Sequence, residues 1–105
     1  MRPIHVTLVE EKWRPAVLLT RESSRDRMKQ LTVAPITTRV HGLPFEVPVG
    51  VENGLDQACA VSADALQTVR RESIGRQIGW LLDEQELQLT EAISYAFDLT
   101  LPDDL

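Results

Sequence analysis

The run from Leu31 to Thr38 (LTVAPITT) is apolar enough for a buried strand and ends in two threonine hydroxyls. Pro35 lies inside this run. A proline removes a backbone donor and is normally confined to strand edges or bulges, so we expect a bulge or bend at this point. Such a distortion would re-aim the residues that follow, Ile36 and Thr37.

A second apolar run, Ala16–Leu19, directly follows Trp13-Arg14-Pro15. If it pairs with the Leu31–Thr38 strand, the guanidinium of Arg14 and the hydroxyls of Thr37 and Thr38 could converge. Arginine binds phosphate oxygens through two parallel hydrogen bonds, and a threonine hydroxyl adds a neutral donor. The plainer alternative is a surface arginine beside threonines that serve only as good strand formers.

Short apolar or alternating segments recur along the rest of the chain, separated by turn signals. They predict strands at 4–9, 16–19, 31–38, 45–49, 58–61, 65–69 and 76–81. The polar segment 21–29 should be a loop or a short helical turn, and the segment 70–73 a turn that could be helical. Asn53-Gly54 predicts a turn with positive φ.

One helix is predicted, with Asp83 as its N-cap and an end near Leu99. Residues at helical spacing should pack on the sheet: Leu89, Ala92, Ile93, Ala96 and Phe97. The predicted fold is therefore mainly β (α+β): a small, strongly bent barrel of six or seven strands with a C-terminal helix. The length fits a single domain spanning 1–105.

The charge is distributed unevenly over a chain whose formal net charge is −5. Residues 1–45 carry eight Lys/Arg against four Asp/Glu, whereas residues 46–105 carry three against twelve. A basic face that binds nucleic acid is therefore possible, although two differently charged solvated surfaces would give the same pattern.

Several kinds of chemistry are disfavoured by the composition. The chain has no zinc-ligand spacing and no glycine-rich phosphate loop, so no metal and no cofactor are expected. Cys59 lies in an apolar run, which argues against a nucleophilic pair with His5 or His41. No apolar run could cross a membrane, and the lone cysteine fits the cytoplasm.

The series of short motifs around Arg14 resembles the MazF/PemK family of toxins, over roughly residues 13–99. The matching segments are WRPAVLLT (13–20), TVAPITT (32–38), LPFEV (43–47), NGL (53–55) and QTV (67–69). The resemblance implies an SH3-like barrel of the CcdB/PemK kind that dimerises. It also implies the toxin of a type II toxin–antitoxin system, which cleaves single-stranded RNA at short sequences without a metal and is inhibited by a MazE-type antitoxin.

The resemblance also implies roles for two residues. Arg14 falls on the family's proposed acid/base and phosphate-stabilising arginine. Thr37 falls on the threonine proposed to stabilise the scissile phosphate, with Thr38 as its neighbour. In RNA the 2′-hydroxyl supplies the nucleophile, so the protein need only position, neutralise and move a proton.

The chain departs from the family pattern before Arg14. Many members carry a long Pro/Gly-rich loop there, whereas here only Glu10-Glu11-Lys12-Trp13 separate Val9 from Arg14. Trp13 could take part of that loop's role by stacking on a base, or it could belong to the core or to a dimer interface. This leaves the sequence specificity of cleavage open.

Four further residues are candidate RNA phosphate contacts: Arg39, His41, Arg70 and Arg71. Each could equally be a solvated charge. Two alternative functions remain at this point, because a barrel of this kind does not fix an activity. One is a CcdB-like toxin that binds gyrase without nuclease activity, and the other is an inactive relative that only binds an antitoxin.

Overall fold

The computed structural model describes residues 1–100 and contains seven antiparallel strands and one α-helix. The strands are β1 (Arg2–Val9), β2 (Lys12–Leu18), β3 (Gln30–Thr37), β4 (Glu46–Val49), β5 (Cys59–Ser62), β6 (Gln67–Arg70) and β7 (Ile74–Leu81), and the helix is α1 (Asp83–Ala96). Short 3₁₀ helices occupy Glu22–Arg27, Val51–Asn53 and Arg71–Ser73. The last five residues of the predicted domain, 101–105, lie outside the described part.

The strands form one strongly curled sheet in the order β4-β5-β3-β2-β1-β7, with β6 paired to β3 off this path. Gln30–Val33 of β3 pair with β6, whereas Ile36 and Thr37 pair with β5. A single strand therefore belongs to both halves of the sheet, which curls into a half-barrel. The predicted mainly β fold with seven strands and a C-terminal helix is confirmed, and β2 begins earlier than predicted, at Lys12.

Pro35 does not produce the predicted bulge. The pairing of β2 with β3 runs through Ala16↔Pro35, Val17↔Ala34 and Leu18↔Val33 without a shift of register. Pro35 instead lies between the residues of β3 that pair with β6 and those that pair with β5, where a missing N–H is tolerated. Register shifts occur instead in the pairing of β1 with β7, on either side of His5.

Both faces of β3 are covered, which explains why its sequence is a continuous apolar run. Ala34 and Ile36 face the main core, which also contains Leu89 and Ala92 of α1. Leu31 and Val33 face a second, smaller cluster that is completed by five further side chains: Val9, Ala16, Leu18, Val69 and Ile74. The sheet is thus fixed by apolar contacts on two sides at the strand that leads to Thr37.

The helix differs from its prediction at both ends. Asp83 is its first residue rather than its N-cap, and the side chain of Gln85 accepts a hydrogen bond from the backbone N–H of Leu82 (2.9 Å). The helix ends at Ala96, so Phe97 falls beyond it and remains 48% exposed instead of packing on the sheet. With 14 residues, α1 is too short to span a bilayer, and no other helix in residues 1–100 is long and apolar enough to do so.

A pair of buried side-chain amides, Asn53 and Gln85, ties the start of α1 to the sheet; we call it the amide clasp. Nδ2 of Asn53 donates to Oε1 of Gln85 (2.6 Å) and to the carbonyl of Trp80 (2.9 Å), and Oδ1 accepts from the N–H of Gly50 (3.0 Å). Nε2 of Gln85 also donates to the carbonyl of Pro48 (3.3 Å). Both side-chain polar atoms of Asn53, which is fully buried, therefore have a partner.

The backbone beside the clasp is packed so closely that only glycine fits. A Cβ on Gly79 would lie 1.8 Å from the carbonyl oxygen of Asn53, and one on Gly54 would lie 2.2 Å from that of Ile78. Gly54 also has φ +88°, as the Asn53-Gly54 pair predicts. The contact between β7 and the Val51–Asn53 turn therefore depends on two glycines.

Candidate functional site

The hairpin between β1 and β2 has only two loop residues, Glu10 and Glu11, with Val9 opposite Lys12. Both glutamates have positive φ, 51° and 67°, as a type I′ turn requires. Non-glycine residues in this region are strained by roughly 1–2 kcal/mol each, and the turn usually carries Asn-Gly. The sequence predicts that no long loop precedes Arg14, and in the structure a tight, strained hairpin takes the place of such a loop.

The sheet register brings Arg14 and Thr37 together. Ala16 lies opposite Pro35, and the two strands run antiparallel, so two steps back along β2 match two steps forward along β3. Arg14 therefore comes level with Thr37 just beyond the last paired residues. Both side chains are partly buried and line one cleft of about 420 Å³.

The loop after β3 adds Arg39 and His41 to the same cleft. Oγ1 of Thr37 accepts a hydrogen bond from the backbone N–H of Arg39 (3.1 Å), which orients the hydroxyl and leaves its O–H free to donate to a ligand. The cleft thus gathers two guanidinium groups, an imidazole and an oriented hydroxyl, a donor set suited to phosphate oxygens.

Glu46 holds the loop in place from the start of β4. Its Oε1 accepts hydrogen bonds from the backbone N–H groups of His41 (3.0 Å) and Leu43 (3.1 Å). Desolvation opposes ionisation of this carboxyl, but the backbone donors of Leu43, His41 and Gly42 outweigh it, with help from the charge of His41, and its pKa is lowered. The carboxylate is therefore an anchor for the segment that carries Arg39 and His41.

Other residues of the cleft were not singled out from the sequence. Glu10, Asp64 and Gln67 line it together with Glu46. Nε2 of Gln67 donates to Oε1 of Glu10 (2.8 Å) across 57 positions of sequence. The sequence carries no signal for this pair, because the contact exists only once β6 and the β1–β2 hairpin are placed in the curled sheet.

Four of the RNA-contact candidates lie outside the cleft. Trp13 is 58% exposed on a neighbouring surface with Arg76 and Ile78, which shares Arg14 with the cleft. Thr38 is exposed just past the end of β3. Two more are placed elsewhere: Arg70 lies beside Met28 and Lys29, and the guanidinium of Arg71 donates to the carbonyl of Met28 (2.8 and 3.1 Å).

The alternative nucleophilic pair is not assembled. Cys59 is buried in the main core, where burial, with the charge of Asp56 adding to it, raises the pKa of the thiol. His5 lies in a different cavity, and its Nδ1 is within hydrogen-bond distance of the carbonyl of Gly75 (2.9 Å). Residues 1–100 also contain no group of three or more side chains placed to hold a metal ion.

The fold and the cleft together define a class: a small curled β half-barrel with a C-terminal helix and a cleft that holds Arg14 and Thr37 at its strand ends. Comparison with known proteins identifies the family within this class. A family model described as "PemK-like, MazF-like toxin of type II toxin-antitoxin system" matches residues 6–97. The chain is 54% identical over 99 residues to endoribonuclease MazF3 of Mycobacterium tuberculosis H37Rv, covering 94% of this chain and 95% of that protein.

Solved structures of similar proteins have the same fold as this chain. The Mycobacterium tuberculosis toxin MazF-mt6 superposes with a TM-score of 0.92 at 52% identity, covering 95% of this chain and 100% of that one. A mycobacterial endoribonuclease solved in complex with its cognate antitoxin shares the fold at 17% identity, with a TM-score of 0.83 and 95% of each chain covered. The chain belongs to the PemK-like, MazF-like toxin family of type II toxin–antitoxin systems.

Proposed function

We propose that this protein is an endoribonuclease toxin that cleaves single-stranded RNA without a metal ion, and that Arg14 and Thr37 carry the reaction. The observation that supports it most strongly is the level placement of these two residues in one cleft. Membership of the toxin family and 54% identity to an endoribonuclease support the activity itself. The comparisons do not favour a CcdB-like gyrase-binding toxin.

The proposed reaction is an in-line displacement at phosphorus. The 2′-oxygen loses its proton and forms a bond to the adjacent phosphorus, and the bond from phosphorus to the 5′-oxygen breaks. A 2′,3′-cyclic phosphate results, and the leaving 5′-oxygen takes up a proton. Because the nucleophile belongs to the substrate, the protein needs to orient it, stabilise the charge on the phosphate oxygens and move a proton.

Four residues of the cleft have a part in this scheme: Arg14, Thr37, Arg39 and His41. The guanidinium of Arg14 neutralises the developing charge and acts in proton transfer. The hydroxyl of Thr37 donates to a phosphate oxygen while it accepts from the N–H of Arg39. Arg39 and His41 contact phosphates on either side of the scissile one, since they line the same cleft. Trp13, Thr38, Arg70 and Arg71 lie outside the cleft, and their contact with RNA phosphates or bases stays a prediction.

Arg14→Ala tests the proposal. Removing one preorganised donor to a developing oxyanion typically slows a reaction about 10²–10³-fold, so we expect at least this loss in cleavage of a single-stranded RNA by purified protein. The thermal transition followed by circular dichroism should change little, because Arg14 is not a member of either apolar cluster. Added EDTA should have no effect on the wild type.

Arg27→Ala is the matched control, since it removes an exposed arginine of the Glu22–Arg27 3₁₀ helix, away from the cleft. It should retain full activity. Wild-type rates in Arg14→Ala would contradict the mechanism. Absence of cleavage by the wild type in all buffers, together with capture of gyrase, would instead support the gyrase-binding alternative.

We also propose a cytoplasmic homodimer that binds a MazE-type antitoxin. Large apolar side chains remain exposed on the single chain, among them Trp13 and Trp80 (45%), which a second copy could cover. A flexible acidic antitoxin segment would complement Arg14 and Arg39 in the cleft. Light scattering on the purified toxin, alone and with its antitoxin, tests both assemblies.

A further inference from the structure

The contact between Glu10 and Gln67 bears on which RNA base the cleft accepts. Both side chains line the cleft that holds Arg14 and Thr37. The reaction at phosphorus described above uses neither of them. Their hydrogen bond is short (2.8 Å) and joins a turn of the first hairpin to the start of β6.

The chemistry of the two groups fixes the orientation of the amide. An ionised carboxylate only accepts hydrogen bonds, whereas a glutamine amide has a donor end, Nε2, and an acceptor end, Oε1. Glu10 therefore holds Nε2 of Gln67 towards itself, and Oε1 is the end left for a ligand in the cleft. Without Glu10, a half rotation of the amide would exchange donor and acceptor.

Glu10 is well suited to this role because the turn fixes its backbone. It occupies the first position of a two-residue turn with both residues at positive φ, between the paired residues Val9 and Lys12. It is also not occupied by a charged partner: the salt bridges of residues 1–100 all join Met1 or Arg2 to α1.

We propose that Glu10 is a positioning residue for base recognition: it presents the carbonyl oxygen of Gln67 to the RNA. This oxygen selects by the group at C6 of a purine or C4 of a pyrimidine: it accepts from the amino group of A or C and disfavours the carbonyl of G or U. The assignment rests on the proposed endoribonuclease function. The chemical reason is that A and C offer an N–H donor there, whereas G and U offer an acceptor, which would face Oε1 unfavourably.

Glu10→Lys tests the assignment, because a lysine donates and would turn the amide of Gln67 so that Nε2 faces the RNA. The measurement is cleavage of a randomised single-stranded RNA pool, with sequencing of the fragment ends. For the wild type we expect a preference of about tenfold for A or C over G or U at one position near the cut. Glu10→Lys should abolish or invert this preference.

Glu11→Lys is the matched control. It makes the same charge change at the other residue of the same turn, which is exposed and at positive φ, but does not line the cleft. It should keep the wild-type preference, which separates the effect of orientation from that of net charge. Gln67→Leu provides a second route should Glu10→Lys fail to fold, since it removes the reading group and should erase the preference.

The possible results separate a failure of the base-recognition role of Glu10 from a failure of the proposed endoribonuclease function. Cleavage by the wild type with an unchanged preference in Glu10→Lys or in Gln67→Leu would overturn the assignment alone. So would a wild type without an A/C preference at any position. No cleavage by the wild type, with Arg14→Ala identical to it, would overturn the proposed function and this assignment with it.

Discussion

The cleft and the amide clasp both gather polar side chains beside the sheet, yet they use them in opposite ways. In the clasp, Asn53 is fully buried and its amide forms hydrogen bonds with Trp80, Gly50 and Gln85. Its hydrogen-bonding groups are therefore all satisfied within the chain. In the cleft, the side chains are partly exposed and retain donors, as the hydroxyl of Thr37 does. Polar groups whose hydrogen-bond partners all lie within the protein stabilise the fold, whereas groups with a free donor or acceptor can bind a substrate.

If this contrast is correct, substitutions at the clasp should lower stability with little effect on the reaction, and substitutions in the cleft should do the reverse. The largest effect is expected for Gly79→Ala, because the new methyl group would collide with the carbonyl oxygen of Asn53. We expect a loss of about 4 kcal/mol or more in the free energy of unfolding, measured by urea titration.

Gly42→Ala is its control. Gly42 has φ +68° but nothing within 4 Å of an added Cβ, so only the backbone strain applies, about 1 kcal/mol. Equal losses for the two variants would show that close approach at the clasp does not matter.

Asn53→Ala should lower the free energy of unfolding by about 2–3 kcal/mol, since it leaves the side chain of Gln85 and the carbonyl of Trp80 without their shared donor. RNA cleavage per folded molecule should not change. The comparison is Gln88→Ala, which removes an exposed amide from α1. A stable Asn53→Ala with impaired cleavage would reverse the division between the two regions.

Thr37→Val should lower the rate of RNA cleavage much more than it lowers stability. The variant keeps the shape of the side chain but loses the hydroxyl, so we expect cleavage to fall about tenfold to 100-fold and the free energy of unfolding by no more than about 1 kcal/mol. Thr37→Ser restores the hydroxyl and should recover most of the rate. A Thr37→Val protein as active as the wild type would remove Thr37 from the mechanism.

The smallest effect concerns the pH dependence of the loop held by Glu46. Its pKa is lower in the folded chain than its ordinary value of 4.5, so ionised Glu46 favours the folded state above that pH. This contribution is lost as the pH falls through the lowered pKa, that is, below 4.5. Thermal unfolding of the wild type and Glu46→Gln at several acidic pH values should converge as the pH falls; a constant gap would contradict the assignment.

Much of the fold was predictable because the strands alternate or run apolar and the turns carry Gly, Pro and Asn. The approach of Arg14 to Thr37 was predictable only on the condition that β2 and β3 pair, which the register confirms. No sequence pattern predicts that Asn53 pairs with Gln85 or Glu10 with Gln67, because those contacts depend on how the sheet curls. The bulge predicted at Pro35 is absent, and a local rule about prolines could not show that β3 changes partners there.

The exposure of Trp13 and Trp80, the only tryptophans of the sequence, has a practical spectroscopic consequence. Both indoles are already about half in water in the single folded chain, so their emission will report denaturation poorly. It will respond strongly to anything that excludes water from those two rings. Fluorescence is therefore the natural signal for titrating a second copy or an antitoxin, and circular dichroism is the one for unfolding.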